Sequence, residues 1–90
     1  MAMLMVGYDL NRPGQNYPEL IEKLRSFGTF WHHLDSTWLV EAELTPMQLV
    51  TQLQPFIDST DELLVIDVTS DTAAWVGFSQ KGSDWLTQNL

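Results

Sequence analysis

The sequence contains no cysteine and only four basic residues in a chain of 90. Without cysteine, neither a disulfide framework nor a thiolate metal site can form. The basic residues are outnumbered by twelve acids, which gives a net charge of −8 at pH 7. Because Lys and Arg supply most of a protein's affinity for the phosphate backbone, this balance disfavours unaided binding to nucleic acid. Nucleic acid then becomes a partner only with the help of a metal ion or a basic protein.

Long apolar runs are also missing. The longest uninterrupted one is far below the roughly 20 residues that cross a bilayer. The first residues lack the basic segment and longer apolar stretch of a secretory signal peptide. We therefore expect a cytoplasmic protein with no membrane contact.

Apolar and aromatic residues are abundant by contrast. They make up 44% of the chain and include four tryptophans. A domain of this size buries only roughly 60–65% of the surface that its unfolded chain exposes. The excess of apolar residues over what one small core can hide favours a self-association surface, so we expect a homodimer.

Apolar periodicity, interrupted by Pro, Gly, Asn and Asp, predicts one domain over residues 1–90 with the order β-α-β-β-α-β. The elements are a strand at 3–10, a helix capped by Asn16 and ended by Gly28, a hairpin of strands at 29–34 and 37–44, a helix that opens at Thr45 and stops near Leu53, and a strand at 62–68. This is the order of the ferredoxin-like α+β fold, an antiparallel sheet with two helices on one face.

Two further local predictions follow from the pattern. In the strand at 37–44, Trp38 and Val40 share one face while Leu39 lies on the other, so Trp38 should be buried. Residues 71–90 form a C-terminal extension, in which Ser83 caps a last short helix. Residues 71–78 are compatible with a helical turn or an added strand.

Four blocks of the sequence resemble a known superfamily. They are YDLNRPGQNY at 8–17, WHHLDSTWLV at 31–40, DELLVIDV at 61–68 and GFS followed by WL within 77–86. The chain resembles the small CRISPR-associated adaptation nucleases and the virulence-associated protein D toxins, and within that superfamily the SinR-like proteins.

The resemblance implies a homodimer whose two Asp9 carboxylates face each other across the two-fold axis and share Mg²⁺. In relatives described as nucleases, such an ion assists phosphodiester hydrolysis, as a toxin-like ribonuclease or a CRISPR-associated-like endonuclease. Other members show no nuclease activity and serve as structural bridges. Mg²⁺ suits this arrangement because it keeps several waters and needs only one or two carboxylates.

Asp9 and Arg12 are candidate site residues beside the end of the first strand. Asp9 is a candidate metal ligand and catalytic carboxylate, or else a turn residue that bonds to backbone amides. Arg12 is a candidate catalytic residue that could hold a phosphate or a carboxylate, or a solvated loop side chain.

His32 and His33 are adjacent, so on a strand they point to opposite faces and cannot both bind one metal ion. His33 is a candidate catalytic acid or base, since histidine titrates near physiological pH. The alternative is a packed, hydrogen-bonded histidine in an aromatic strand. The tryptophans could stack bases, but with so few basic residues core and dimer packing is the better interpretation.

Two functional hypotheses remain open at this point. One is a Mg²⁺-dependent endonuclease that uses paired Asp9 residues. The other is a non-catalytic dimeric adaptor or regulatory protein, whose acidic surface binds a basic protein. The first requires a metal site and an accessible groove with some positive charge. The second predicts an exposed apolar edge or face.

Overall fold

The strands and helices follow the predicted order closely. The computed structural model describes residues 1–10 and 17–90. In these residues the elements are β1 (Ala2–Asp9), α1 (Pro18–Arg25), β2 (Phe30–Leu34), β3 (Thr37–Ala42), α2 (Pro46–Leu53), a 3-10 helix (Gln54–Phe56), β4 (Glu62–Asp67) and α3 (Gln80–Asn89). The four strands form one sheet in the order β2-β3-β1-β4, and each neighbouring pair is antiparallel. The protein is therefore a small α+β protein.

The helix starts differ in how well local sequence predicted them. At α2 the prediction is confirmed: the Thr45 side chain accepts from the Gln48 N–H, and the Gln48 side chain accepts from the Thr45 N–H. At α1 the flanking residue is Tyr17, which makes no side-chain cap bond. The predicted cap, Asn16, lies outside the described residues. The helix ends at Arg25, and Gly28 turns the chain toward β2 with a φ of +83°.

One face of the sheet packs against α1 and α2. The buried side chains of this main core come from the sheet and from both helices. They are Leu4, Val6, Trp38, Val40 and Val65 of the sheet, Tyr17, Leu20 and Leu24 at α1, and Leu49 and Leu53 of α2. Trp38 is fully buried there, opposite Val6 of β1. The predicted alternation of β3 is confirmed, because Leu39 belongs to the core on the other face.

The other face of the sheet is partly covered by α3 of the same chain. Met3, Trp31 and Leu39 are buried against Leu86, with Phe78 and Trp85 packed around them. α3 of the same chain therefore covers the part of this face near Trp85.

The segment that leads to α3, residues 68–79, is fixed at both ends. At its start, the Thr69 hydroxyl accepts from the Met3 N–H at 2.9 Å, and the Val68 N–H donates to the Met3 carbonyl at 2.8 Å. At its end, Ser79 caps α3 by accepting from the Gly82 N–H at 3.2 Å. The predicted cap at Ser83 is wrong, since α3 begins three residues earlier. Residues 71–78 form neither a helix nor a strand.

The contribution of this turn to the stability of the fold depends on pH through Asp67. The Thr69 hydroxyl donates to its carboxylate at 2.6 Å and the Thr69 N–H donates at 2.9 Å, and these bonds lower the pKa of Asp67. A carboxyl whose pKa is lower in the folded state stabilises the fold above its unfolded pKa of about 3.9. That contribution is lost as the pH falls through the folded-state pKa.

Replacing Thr69 with valine should therefore raise the pKa of Asp67 toward its ordinary value, because the hydroxyl donor is removed. A carboxyl ¹³C NMR titration measures this pKa directly. Urea unfolding below pH 5 should show a smaller pH dependence than in the wild type. Thr72→Val, at an exposed threonine of the same segment, is the matched control. An unchanged titration of Asp67 in Thr69→Val would contradict this account.

Candidate functional site

Asp9 lies at the end of β1 and is exposed to solvent. Its partner across the β1–β4 pair is Glu62, which is also exposed. Residues directly opposite in an antiparallel pair share a face of the sheet, and two like charges in this position repel each other. The strand end therefore presents two carboxylates side by side.

The same face carries exposed apolar side chains next to these carboxylates. Along β4, Leu64 and Ile66 lie opposite Gly7 and Met5 and are 57% and 40% exposed. A Cβ added at Gly7 would meet no atom within 4 Å, so the space above this glycine is open. We call Leu64 and Ile66 the apolar strip. Because β4 is an edge strand, the strip is accessible from the side as well as from above.

The turn of the β2–β3 hairpin lies at the same end of the sheet as Asp9. The Tyr8 N–H donates to the Ser36 carbonyl at 3.1 Å, which fixes the hairpin turn beside the end of β1. Arg12, the second candidate from the sequence, lies outside the described residues. Among the described residues, Glu62 and the hairpin turn lie beside the end of β1 at Asp9.

The two histidines point to opposite faces of β2, as their adjacency predicts. The His32 ring stacks on Trp38 with centroids 3.8 Å apart, and its Nε2 lies 3.2 Å from the Asp35 carbonyl oxygen. The exposed His33 ring lies against Gly82, with ring atoms 3.4 Å from the position that a Cβ would occupy. The packed alternative therefore describes His32 well.

His33 and Asp9 are not brought together within one chain. β3 lies between their strands, which places the two backbones about 10 Å apart at the spacing of neighbouring strands. Consistent with this, residues 1–10 and 17–90 include no group of three His, Cys, Asp or Glu placed to hold a metal ion. Among the described residues, the carboxylate that the strand register places beside Asp9 is that of Glu62.

The tryptophans divide into structural and exposed ones. The Trp31 Nε1–H donates to the Gly82 carbonyl at 3.2 Å, and the Trp38 Nε1–H donates to the Tyr8 hydroxyl at 3.0 Å. Both indoles are buried, which confirms their interpretation as core residues. Trp75 is 37% exposed, beside Val76, which is 91% exposed. We call these two residues the apolar rim.

The segment 68–79 lies along an open apolar cavity of about 430 Å³ on the face of the sheet that α3 partly covers. Its floor is formed by Met5 and Leu39, and the apolar rim of Trp75 and Val76 lies at its edge. Sequence reasoning missed this cavity, because it depends on the path of a segment that has no regular secondary structure.

A second groove, also of about 430 Å³, runs along edge strand β2 beside α3. We call it the Lys81 groove. Its lining residues are Phe30, Trp31, His32, His33, Lys81 and Trp85, together with residues 28–29. Sequence reasoning did not join these residues, although the spacing of Lys81 and Trp85 is the helical i, i+4 spacing that places two side chains on one face. Their approach to His33 depends on how α3 docks.

The acidic turn at 58–61 has a structural role. The Asp61 carboxylate accepts from the Tyr17 hydroxyl at 3.0 Å and from the Asp58 N–H at 2.7 Å. These bonds tie the start of α1 to the loop before β4.

In the part of the chain that the structure describes, no helix has the length and apolar character needed to cross a membrane. No family model matches the sequence, and no solved structure matches it.

Proposed function

We propose that this protein is a Mg²⁺-dependent nuclease with a ferredoxin-like fold, which acts as a homodimer through paired Asp9 residues. The observation that carries the proposal is the position of Asp9: it is exposed, opposite Glu62, and on the face that presents the apolar strip. The strand order β2-β3-β1-β4, with α1 and α2 on one face, supports the ferredoxin-like assignment.

The apolar strip supports the dimer. Exposed apolar side chains that lie together on a sheet mark interaction surfaces more often than isolated ones do. In a two-fold dimer the same patch meets itself, so every group beside the axis occurs twice. An axis near Leu64 would therefore set the carboxylates of Asp9 and Glu62 from both chains around one position.

The donors at this position fit Mg²⁺. It is a hard cation that binds oxygen, keeps several waters and is held by one or two carboxylates rather than by a closed protein cage. Asp9 from each chain would hold it, with Glu62 as the neighbouring acceptor. When bound, such an ion activates water and stabilises the charge that develops on a phosphodiester. It would also relieve the repulsion between the clustered carboxylates and reduce the unfavourable charge toward nucleic acid.

The other two sequence candidates have separate places in this proposal. Arg12 follows Asp9 by three residues and is the cation assigned to the substrate phosphate. The separation of His33 from Asp9 within one chain gives no support to proton transfer between them, so a catalytic role of His33 stays a prediction.

The test pairs cleavage with stability for the wild type and Asp9→Asn. We expect the wild type to cleave single-stranded RNA or DNA only with Mg²⁺ and to melt at a higher temperature when Mg²⁺ is added. Asp9→Asn should lose both effects. Without metal it should be at least as stable as the wild type, because the repulsion with Glu62 is gone.

Glu43→Gln, which neutralises an exposed acid elsewhere, is the matched control and should retain both effects. A wild-type protein that shows neither cleavage nor metal stabilisation across a screen of pH and divalent ions would contradict the nuclease. Light scattering that gives 10.3 kDa at high protein concentration would contradict the dimer.

The apolar rim favours a second candidate, a non-catalytic adaptor. Trp75 and Val76 are exposed on a chain of net charge −8, a combination that suits a basic protein with an apolar contact surface. On this proposal the wild type cleaves nothing, and Val76→Asp weakens the binding of the basic partner. Asp9→Asn would leave that binding unchanged, so the two candidates are separated by the same variant.

A further inference from the structure

The Lys81 groove stands out by its charge. The chain has twelve acids, four Lys or Arg residues and two histidines. Both histidines and Lys81 line the groove, and among the described residues no Asp or Glu lines it. In a strongly acidic protein, a concave surface that combines cationic groups with an absence of carboxylates is suited to an anion.

The Lys81 ammonium and the His33 imidazole of the groove are available to a ligand. Lys81 and His33 are both exposed. In residues 1–10 and 17–90, no carboxylate forms an ion pair with Lys81, and no hydrogen bond engages the His33 ring. His33 is held in position by its contact with Gly82, where the absence of a side chain leaves room for the imidazole. A donor that is positioned but unused loses little entropy when it binds an anion.

Three aromatic residues, Phe30, Trp31 and Trp85, also line the groove, together with residues 28–29. Trp85 is half-buried, so part of its surface stays accessible beside Lys81, whereas the Phe30 ring packs against Trp38 on the other face of the sheet. Aromatic side chains stack on the π-face of any base, and cationic groups beside them bind the attached phosphate. The volume of about 430 Å³ lies within the range of about 300–1,000 Å³ for small-molecule sites.

We propose that the Lys81 groove binds a nucleoside phosphate, with the phosphate at Lys81 and His33 and the base against Trp85. The ligand is either a free mononucleotide or the phosphorylated end of a single strand, since both present the same chemistry. This site lies on β2 and α3 and does not depend on Asp9 or on the nuclease proposal.

The experiment titrates the wild-type protein with AMP, adenosine and inorganic phosphate at one fixed ionic strength, using calorimetry and ¹H–¹⁵N NMR. AMP should bind more tightly than either fragment and should shift the signals of Lys81, His33 and the Trp85 indole. Lys81→Gln should weaken the binding of AMP by about five-fold, the upper range for a solvent-exposed ion pair, and should leave the binding of adenosine unchanged. Lys23→Gln, which removes a cation outside the groove, should change the affinity for neither ligand.

Trp85→Leu should weaken the binding of AMP and of adenosine alike by at least about five-fold, the lower range for one stacked base. Trp85→Phe retains an aromatic ring and should retain most of the binding. A loss of binding in both Trp85→Leu and Trp85→Phe would therefore indicate unfolding. The chemical-shift changes that AMP causes in the wild-type protein locate the site without any substitution.

A comparison of AMP with a short RNA, with and without a 5′-phosphate, identifies the source of the ligand. Tighter binding of the phosphorylated RNA assigns the site to a strand end, and tighter binding of AMP assigns it to a free nucleotide. The proposal is overturned if AMP binds no better than inorganic phosphate. It is also overturned if Lys81→Gln and Lys23→Gln weaken AMP equally, or if the shifted signals lie outside the groove.

Discussion

Replacing Trp38 with alanine should lower the free energy of unfolding by about 3–5 kcal/mol, the range for buried aromatic side chains. The indole is fully buried at the centre of the sheet, with Phe30 at 5.5 Å and His32 stacked at 3.8 Å between ring centroids. Its Nε1–H also donates to the Tyr8 hydroxyl. The substitution therefore leaves a cavity, removes two ring contacts and deprives Tyr8 of its donor.

The loss is large relative to the whole domain. At about 0.05–0.15 kcal/mol per residue, a chain of this length has roughly 5–13 kcal/mol of stability in total. Urea unfolding followed by far-ultraviolet circular dichroism measures the change without relying on tryptophan fluorescence. Melting should shift by about 4–8 °C for each kcal/mol.

The matched control is Trp75→Ala. This indole is 37% exposed and lies at the apolar rim, so its removal should cost far less than that of Trp38. If Trp38→Ala melts at the wild-type temperature, the register that pairs Trp38 with Val6 is wrong.

The elements that local sequence predicted well are those with strong local signals. The alternation in β3 places Trp38 and Leu39 on opposite faces with no knowledge of the rest of the chain. The cap at Thr45 depends on a hydrogen bond to Gln48, three residues away. Such features are present in the folded protein because tertiary packing favours the same conformation as the local sequence.

The C-terminal part was harder to predict because long-range contacts determine it. Ser79 and Ser83 are equally good capping residues by type, and what selects Ser79 is the docking of the following turn on the sheet. Gly82 lies under the His33 ring and offers its carbonyl to Trp31, which is 51 residues away in sequence. No local pattern contains that information.

The same reasoning applies to the candidate sites. The position of Asp9 at a strand end is visible in the sequence, but its partner Glu62 follows only from the register of β1 with β4. The Lys81 groove joins residues of β2 and α3 that are about 50 positions apart, and the sequence shows only the pairing of Lys81 with Trp85. Sequence reasoning therefore found single residues, and the structure supplied their neighbours.

Removing residues 71–90 should have the largest effect of all, because it strips α3 and Phe78 from one face of the sheet. Met3, Trp31 and Leu39 are buried there against Leu86 and would become exposed together. The loss of the Gly82 carbonyl would also leave the Trp31 Nε1–H without its acceptor. We expect the shortened chain to aggregate or to remain unfolded, as judged by size-exclusion chromatography with light scattering and by circular dichroism.

Two point variants within α3 separate the loss of packing from the loss of chain. Leu86→Ala should cost about 2–5 kcal/mol, since Leu86 is 4% exposed and fills the centre of this second core. Gln88→Ala, on the exposed side of the same helix, should change stability by less than about 0.5 kcal/mol. A shortened chain that stays soluble, monomeric and cooperatively folded would show that the sheet needs no cover on this face. Equal melting temperatures for Leu86→Ala and Gln88→Ala would show that α3 does not dock through Leu86.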